Sequence, residues 1–369
     1  MELFLTGPTA LAVIRAARHP AGPNLEPCDR RLSSTFARLP FPAERIAWLL
    51  VGSAAHVDER HPLHLLVPRA GARRIPHAIL CHVCARPLPS GSFLRMRMSP
   101  QSLAACGLPS DLQIFVDAPA LCMVHMSQLL HGSPRIVTRD EYLAFIRLTG
   151  LAGELCGTYA RSPESPTDPL LWNVRPVLST ESLKGYLAGI SHLRGLPLMR
   201  AVAMVTGDGQ ASPMETLWHL VLTCPASLGG IELGGALENE PLDIPEHLVH
   251  RLAHGSMRPD FFWPRLGVAV EYQGQAFHGL TSGYDTLVED SNRIQDYAAL
   301  GITCLTITYE DTRTASAMEL CIERILIAAE RRAGRAMVAR SRAALKDELG
   351  RQRRSLLIAA LCPSSRYTS

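Results

Sequence analysis

Arg258-Pro-Asp-Phe-Phe-Trp-Pro-Arg-Leu-Gly-Val-Ala-Val-Glu-Tyr-Gln273 reads as two short apolar runs joined by a turn, and it decides how the second half of the chain folds. Pro264 and Gly267 punctuate it, and Val268-Ala-Val270 is too apolar for a surface loop. A hairpin is expected, with strands over 259–263 and 267–273. With Arg265 and Leu266 as its loop residues, Asp260 stands opposite Glu271. Opposed side chains on one face have Cβ atoms about 5 Å apart, near enough for two carboxylates to share a divalent ion. Alternation sends Val268, Val270 and Tyr272 to one face and Ala269, Glu271 and Gln273 to the other. A core is expected on the valine face and a small polar cluster on the open one. Phe261, Phe262 and Tyr272 are read as core residues.

Upstream, Ser212-Pro-Met-Glu215 opens an expected helix over 214–222. A capping box with proline in the first turn would explain all three residue types. Glu215 is also a candidate third carboxylate for the hairpin pair. Downstream, the periodicity predicts a helix over 284–300, a strand over 302–308 and a long helix from about Thr312 into the C-terminal tail. Arg293 stands one helical turn from Asp290 and Asp296, the spacing of a surface ion pair.

The first half reads as a mixture of helices and strands. Helices are expected over 9–17, 119–130 and 139–159, and strands over 64–67, 78–83, 93–98 and 112–116. Pro163, Pro166 and Pro169 then interrupt any helix. Two further helices are expected over 180–193 and 197–205. The resulting division is an α/β domain over 1–165, a helical connector over 166–205, a second α/β domain over 206–332 and a basic tail over 333–369.

At 369 residues, with 47% hydrophobic and 19% charged side chains, the chain has the length and composition of two or three globular domains, neither disordered nor fibrous. No apolar run approaches a membrane span, and Met-Glu-Leu-Phe lacks the basic start of a signal peptide, so a cytoplasmic protein without a membrane partner is expected. The net charge of +3 averages an uneven distribution. Residues 331–369 carry ten basic side chains against Asp347 and Glu348, a balance of +8 that leaves −5 for the rest. Such a tail, with Arg331, Arg332 and Arg335 at its start, could follow phosphates; a solvated amphipathic helix is the plainer reading. The ten cysteines stand mostly singly. Cys81-His-Val-Cys84 has zinc-like spacing but no second pair to complete four ligands, and reads as a strand with incidental thiols. There is no phosphate loop, dinucleotide fingerprint, Gly-x-Ser-x-Gly or His-Glu-x-x-His.

Pro259-Asp260 followed by Glu271-x-Gln273 resembles the PD-(D/E)XK nuclease motif. The longer string, with His278 after it, resembles the subgroup related to the very short patch repair endonuclease. That subgroup also has a Ser-Pro-x-Glu helix before the hairpin and an Asp/Arg-bearing helix ending in Gly before the last strand, matched here by Ser212 to Glu215 and by Asp290, Arg293, Asp296 and Gly301. The resemblance covers about 180–332. It implies a restriction-endonuclease-like α/β domain, with a mixed central sheet flanked by helices, that hydrolyses DNA phosphodiester bonds. It further implies Mg²⁺ or Mn²⁺ on Asp260, Glu271 and Glu215, a phosphate or proton role for His278, and Arg293 offsetting developing charge. Gln273 stands where the motif has lysine, so it can orient water or ligate metal but supplies no positive charge. The first domain is similar, more weakly, to AbiEi-type abortive-infection antitoxins, through Thr9-Ala-Leu11 and Val116-Asp-Ala-Pro119. The two resemblances together suggest genome defence. The alternative they leave open is a regulator that binds nucleic acid, keeps the nuclease fold and does not turn over; a protein partner for the basic tail is the third option.

Overall fold

The computed structural model describes residues 1–32, 45–46, 49, 61–68, 78–130, 136–162, 169–273 and 284–362. Its helices and strands make two compact α/β units, Met1–Met204 and Val205–Ser369. The segment 166–205 therefore belongs to the first unit and the basic tail to the second.

The first unit begins with β1 (Glu2–Leu5) and α1 (Gly7–Ala17), followed by β2 (Leu25–Cys28), β3 (Leu63–Val67), β4 (Ile79–Val83) and β5 (Phe93–Met96). Helix α2 (Pro100–Ala105), β6 (Gln113–Asp117), α3 (Pro119–Leu129), α4 (Arg139–Cys156), α5 (Thr180–Ala188) and α6 (Leu196–Val205) complete it. The strands form one mixed sheet in the order β2-β5-β6-β1-β3-β4, with β1 parallel to β6 and β3 parallel to β4. Strands β1 and β2 were not legible in the periodicity, because β1 is buried at every position and β2 alternates poorly. Helix α3 is apolar nearly all round and buried from Pro119 to His125, as a helix at the centre of a unit must be. Thr138 and Glu141 form a reciprocal capping box that fixes the start of α4. Helix α5 ends at Ala188, short of the expected 193, where Gly189 caps it.

The second unit runs α7 (Pro213–Thr223), β7 (Leu237–Glu238), the one-turn α8 (Glu246–Val249), β8 (Phe261–Trp263), β9 (Val268–Gln273), α9 (Tyr284–Ala299), β10 (Thr303–Thr308) and α10 (Ala315–Ala333). Its sheet has the order β10-β9-β8-β7, with β10 parallel to β9 and the other pairs antiparallel. The hairpin has the expected register: Phe261 pairs with Val270, Phe262 with Ala269 and Trp263 with Val268. Its turn is longer than expected, four residues from Pro264 to Gly267, closed by the amides of Leu266 and Gly267 on the Trp263 carbonyl. Gly267 sits at φ +60°, which explains the glycine.

Helices cover both faces of this sheet. Phe261, Trp263, Val268 and Val270 are fully buried, and burying each large side chain contributes roughly 2–3 kcal/mol. Trp263 also donates its indole N–H to the Leu233 carbonyl at 3.0 Å. The other face is not open. Ala269 packs with Met257 and with Tyr297 from α9, so α9 lies over the side that carries Glu271.

The long C-terminal helix expected from Thr312 is three helices: α10, α11 (Arg335–Leu345) and α12 (Glu348–Leu361). Gly334 breaks the first junction at φ +86°, and Asp347 caps α12 by accepting from the Gly350 amide at 2.6 Å. These helices are part of the unit's core. Arg354 on α12 is completely buried, donating to Glu319 of α10 at 3.1 Å, to the Leu345 carbonyl at 2.7 Å and to the Gly229 carbonyl at 3.3 Å. Arg342 pairs with Glu323 and Glu330, Arg351 with Glu319 and Arg340 with Glu232. Much of the tail's positive charge is thus spent on its own unit. Among the described residues no helix is long and apolar enough to cross a membrane.

Candidate carboxylate site

The register of β8 and β9 carries Asp260, one residue before β8, to the position opposite Glu271. The Asp260 carboxylate accepts from the Tyr272 amide at 2.6 Å, and its carbonyl accepts from the Asn239 amide at 3.2 Å. Asn239, Asp260, Glu271 and Thr306 consequently form one row across the sheet. Asn239 adopts a left-handed φ of +51°, which asparagine tolerates better than other non-glycine residues.

Glu215 enters from the first turn of α7. Ser212 accepts from the Glu215 amide at 3.1 Å, and the Glu215 carboxylate accepts from the Ala211 amide at 2.8 Å and the Ser212 hydroxyl at 2.9 Å. The Ser212 half of the expected capping box is present, while the Glu215 carboxylate reaches the Ala211 amide rather than that of Ser212; a further contact comes from Asn239, which donates its side-chain amide to Glu215 at 3.1 Å. Glu215 therefore serves the helix and touches the row at once.

The Asp260 carboxyl feels its acidic neighbours. Asp260 is raised to about 8, first by withdrawal from water and then by the negative charges of Glu215 and, less strongly, Glu271. The Tyr272 amide and the Arg293 cation oppose that shift without cancelling it. Glu215 is also raised, chiefly by burial, against hydrogen bonds from Ala211, Asn239 and Ser212.

Glu271 is differently placed. Arg293 of α9 donates to it through Nε at 2.9 Å, and the Tyr297 hydroxyl donates to the same carboxylate oxygen. Arg293 also reaches the Arg258 carbonyl at 3.4 Å. The expected pairing of Arg293 along its own helix is corrected for Asp296, which instead accepts from His254 Nδ1 at 2.7 Å and from the amides of Ala253 and His254. Those bonds outweigh burial and hold Asp296 below its ordinary value. The Asp290 side chain lies outside what is described, as does His278.

Among the described residues no group of three His, Cys, Asp or Glu is gathered closely enough to hold a metal ion. Glu215 is fastened to the start of α7, and Glu271 is drawn toward α9, so Glu215, Asp260 and Glu271 do not form a joint cage as they stand. In kind, the donors suit Mg²⁺ or Mn²⁺: they are hard oxygens, and two carboxylates with water suffice for such an ion. Gln273, half-buried at the end of β9 and paired in register with Thr308, shares the Glu271 face.

Of the expected nucleic-acid arginines, Arg293 stands at this end of the sheet and Arg332 at the other. Arg331 and Arg332 occupy the last turn of α10 and Arg335 the start of α11, all exposed. Arg332 borders a cleft of about 330 Å³ with Gly267, Leu300, Gly301 and Ile302. That cleft lies beside the start of β9, four residues or roughly 13 Å from Glu271 along the strand.

Several residues here were not anticipated. His219 of α7 holds Glu238 through Nδ1 at 2.6 Å and the Val205 carbonyl through Nε2 at 2.8 Å. A carbonyl only accepts, so Nε2 is the donor to Val205. Burial lowers the His219 value, but Glu238 more than restores it. Gln210 donates to the other Glu238 oxygen at 3.2 Å. His219, Glu238 and Asn239 thus link the interior of the unit to Glu215. The available signal was Glu238-Asn-Glu-Pro241, a polar run ending in a turn signal; nothing in it marks a two-residue strand.

No family model matches this chain, and neither does any curated protein or solved structure.

Proposed function

We propose that the second unit hydrolyses DNA phosphodiester bonds with a divalent ion, Mg²⁺ or Mn²⁺, held by Asp260 and Glu271. One observation carries this reading: the hairpin register sets the two carboxylates opposite each other, at a position where burial first and the charge of Glu215 next lift Asp260 to about 8. The order of helix α7, hairpin, α9 and β10 also follows the nuclease resemblance noted in the sequence. When bound, the ion would polarise the phosphate and lower the pKa of an attacking water. Gln273, on the same face as Glu271, would orient that water through its amide. Arg293, partly exposed beside Glu271, would face the phosphate, and Glu215 would keep the local field negative through its tie to Asn239.

The test is cleavage of plasmid DNA by the full chain with Mg²⁺ or Mn²⁺. Asp260→Asn and Glu271→Gln should each lower the rate at least about 100-fold, the upper figure for loss of even an outer partner of a metal site, while DNA binding by gel shift persists. Intact plasmid with both ions overturns the reading. A second reading has its own support. Glu271 is already neutralised by Arg293 and Tyr297, and Gln273 brings no lysine charge, an arrangement that suits a protein that binds nucleic acid without cleaving it. DNA bound equally by wild type and by the double variant, with no cleavage, selects that alternative.

A further inference from the structure

Resting on the metal-ion reading above, we infer that Arg293 and Tyr297 form a removable clamp that competes with the metal ion for Glu271 and passes Arg293 to the substrate phosphate when the ion enters. Both donors come from α9, and both converge on the same oxygen of Glu271. Their partners differ in what holds them in place. Tyr297 is fully buried, its ring packed with Met257 and Ala269, so it is fixed. Arg293 is more than a third exposed, and its other tie among the described residues is a long contact of 3.4 Å to the Arg258 carbonyl. A guanidinium with that much solvent access can leave at small cost, whereas the tyrosine can only rotate its hydroxyl.

Divalent ions and guanidinium groups seek the same carboxylate oxygens, so one excludes the other at this position. A released Arg293 would present planar paired donors at the edge of the site, the geometry that phosphate oxygens accept. Metal and phosphodiester would then assist each other's binding, because each removes a competitor of the other. The two acids are held by different donors: Glu271 by Arg293 of α9, and Asp260 by the Tyr272 amide.

Mn²⁺ binding to the full chain, followed by electron paramagnetic resonance without DNA, separates this inference from the reading beneath it. Arg293→Met should bind Mn²⁺ about 5-fold more tightly than wild type, the order expected when a half-exposed ion pair no longer competes. Tyr297→Phe, which keeps the packed ring, should tighten binding by a smaller factor and guards against misfolding of the arginine variant. Asp260→Asn must abolish the signal change, which locates the ion. A merely structural role for Arg293 would weaken Mn²⁺ binding, and unchanged or weaker binding in both variants overturns the clamp while leaving the metal site standing. If wild type and Arg293→Met both fail to bind Mn²⁺, the metal reading itself fails and the clamp with it.

Discussion

Each unit carries a cluster of polar side chains where strands end, and the two clusters are built on opposite plans. In the first unit, Asp117 at the end of β6 accepts three donors on one oxygen: the Thr6 hydroxyl at 2.5 Å, the Gly7 amide at 3.1 Å and His125 Nδ1 at 2.7 Å. Asp117 is completely buried, and Thr6 and His125 nearly so. One negative group meets several donors, and the group ties β1, α1, β6 and α3 together. In the second unit, Asp260, Glu271 and Glu215 crowd three negative groups, and half-buried Asp260 is lifted to about 8. A buried acid met by several donors stabilises a fold, whereas three acids that share the cation of Arg293 oppose it, and such a group persists where a ligand would complete it.

The comparison breaks most readily on stability. Asp117→Ala leaves the Thr6, Gly7 and His125 donors facing a cavity, and should cost the first unit roughly 3–5 kcal/mol in urea unfolding. Asp260→Asn should do the reverse, leaving the second unit as stable as before or more so, because it removes a charge its neighbours repel. Equal losses in both variants would end the distinction between a matched and an unmatched cluster.

A smaller effect, with a definite sign, lies in the pH dependence. A carboxyl whose folded value is raised binds its proton more tightly in the folded state, so its contribution is fully present below the unfolded value near 4 and is lost as pH rises through the folded value near 8. The melting temperature of the second unit should therefore fall between pH 4 and pH 8. Asp260→Asn should flatten that slope, with each kcal/mol worth about 2–4 °C in a unit of this size. Adding Mn²⁺ should flatten it too, since the ion favours the ionised form. A wild-type slope that the asparagine variant leaves unaltered would assign the dependence to other groups.

How legible this was depended on how local the determinants are. The hairpin register follows from Val268 to Tyr272 alternating beside a proline-glycine turn, all within sixteen residues, and the structure keeps it. The cap at Ser212 and Glu215 is equally local. Asn239 and His219 were not legible, because β7 is two residues long and its pairing with β8 is decided by the rest of the unit. The same holds for Tyr297, whose periodicity marks a buried position without saying that its hydroxyl meets Glu271. The broken C-terminal helix did have a local signal. Gly334, between Ala333 and Arg335, is a helix stop, and the continuing apolar spacing on either side concealed it.

The least effect is expected from the tail arginines, and it sharpens the comparison by asking which end of the second unit would meet the DNA proposed as its substrate. Arg340, Arg342, Arg351 and Arg354 are engaged with glutamates of their own unit, so the local charge of +8 overstates what a phosphate would feel. Arg331 and Arg335 are exposed, and their neighbour Arg332 borders the cleft at the start of β9, away from Asp260 and Glu271. Arg331→Gln with Arg335→Gln should change stability by less than about 0.5 kcal/mol. If a duplex spans both ends of β9, the slope of log K against log salt should shrink by about 2, close to 0.9 per lost phosphate contact. An unchanged slope would confine DNA to the carboxylate end, where Arg258 and Arg293 are the cations at hand.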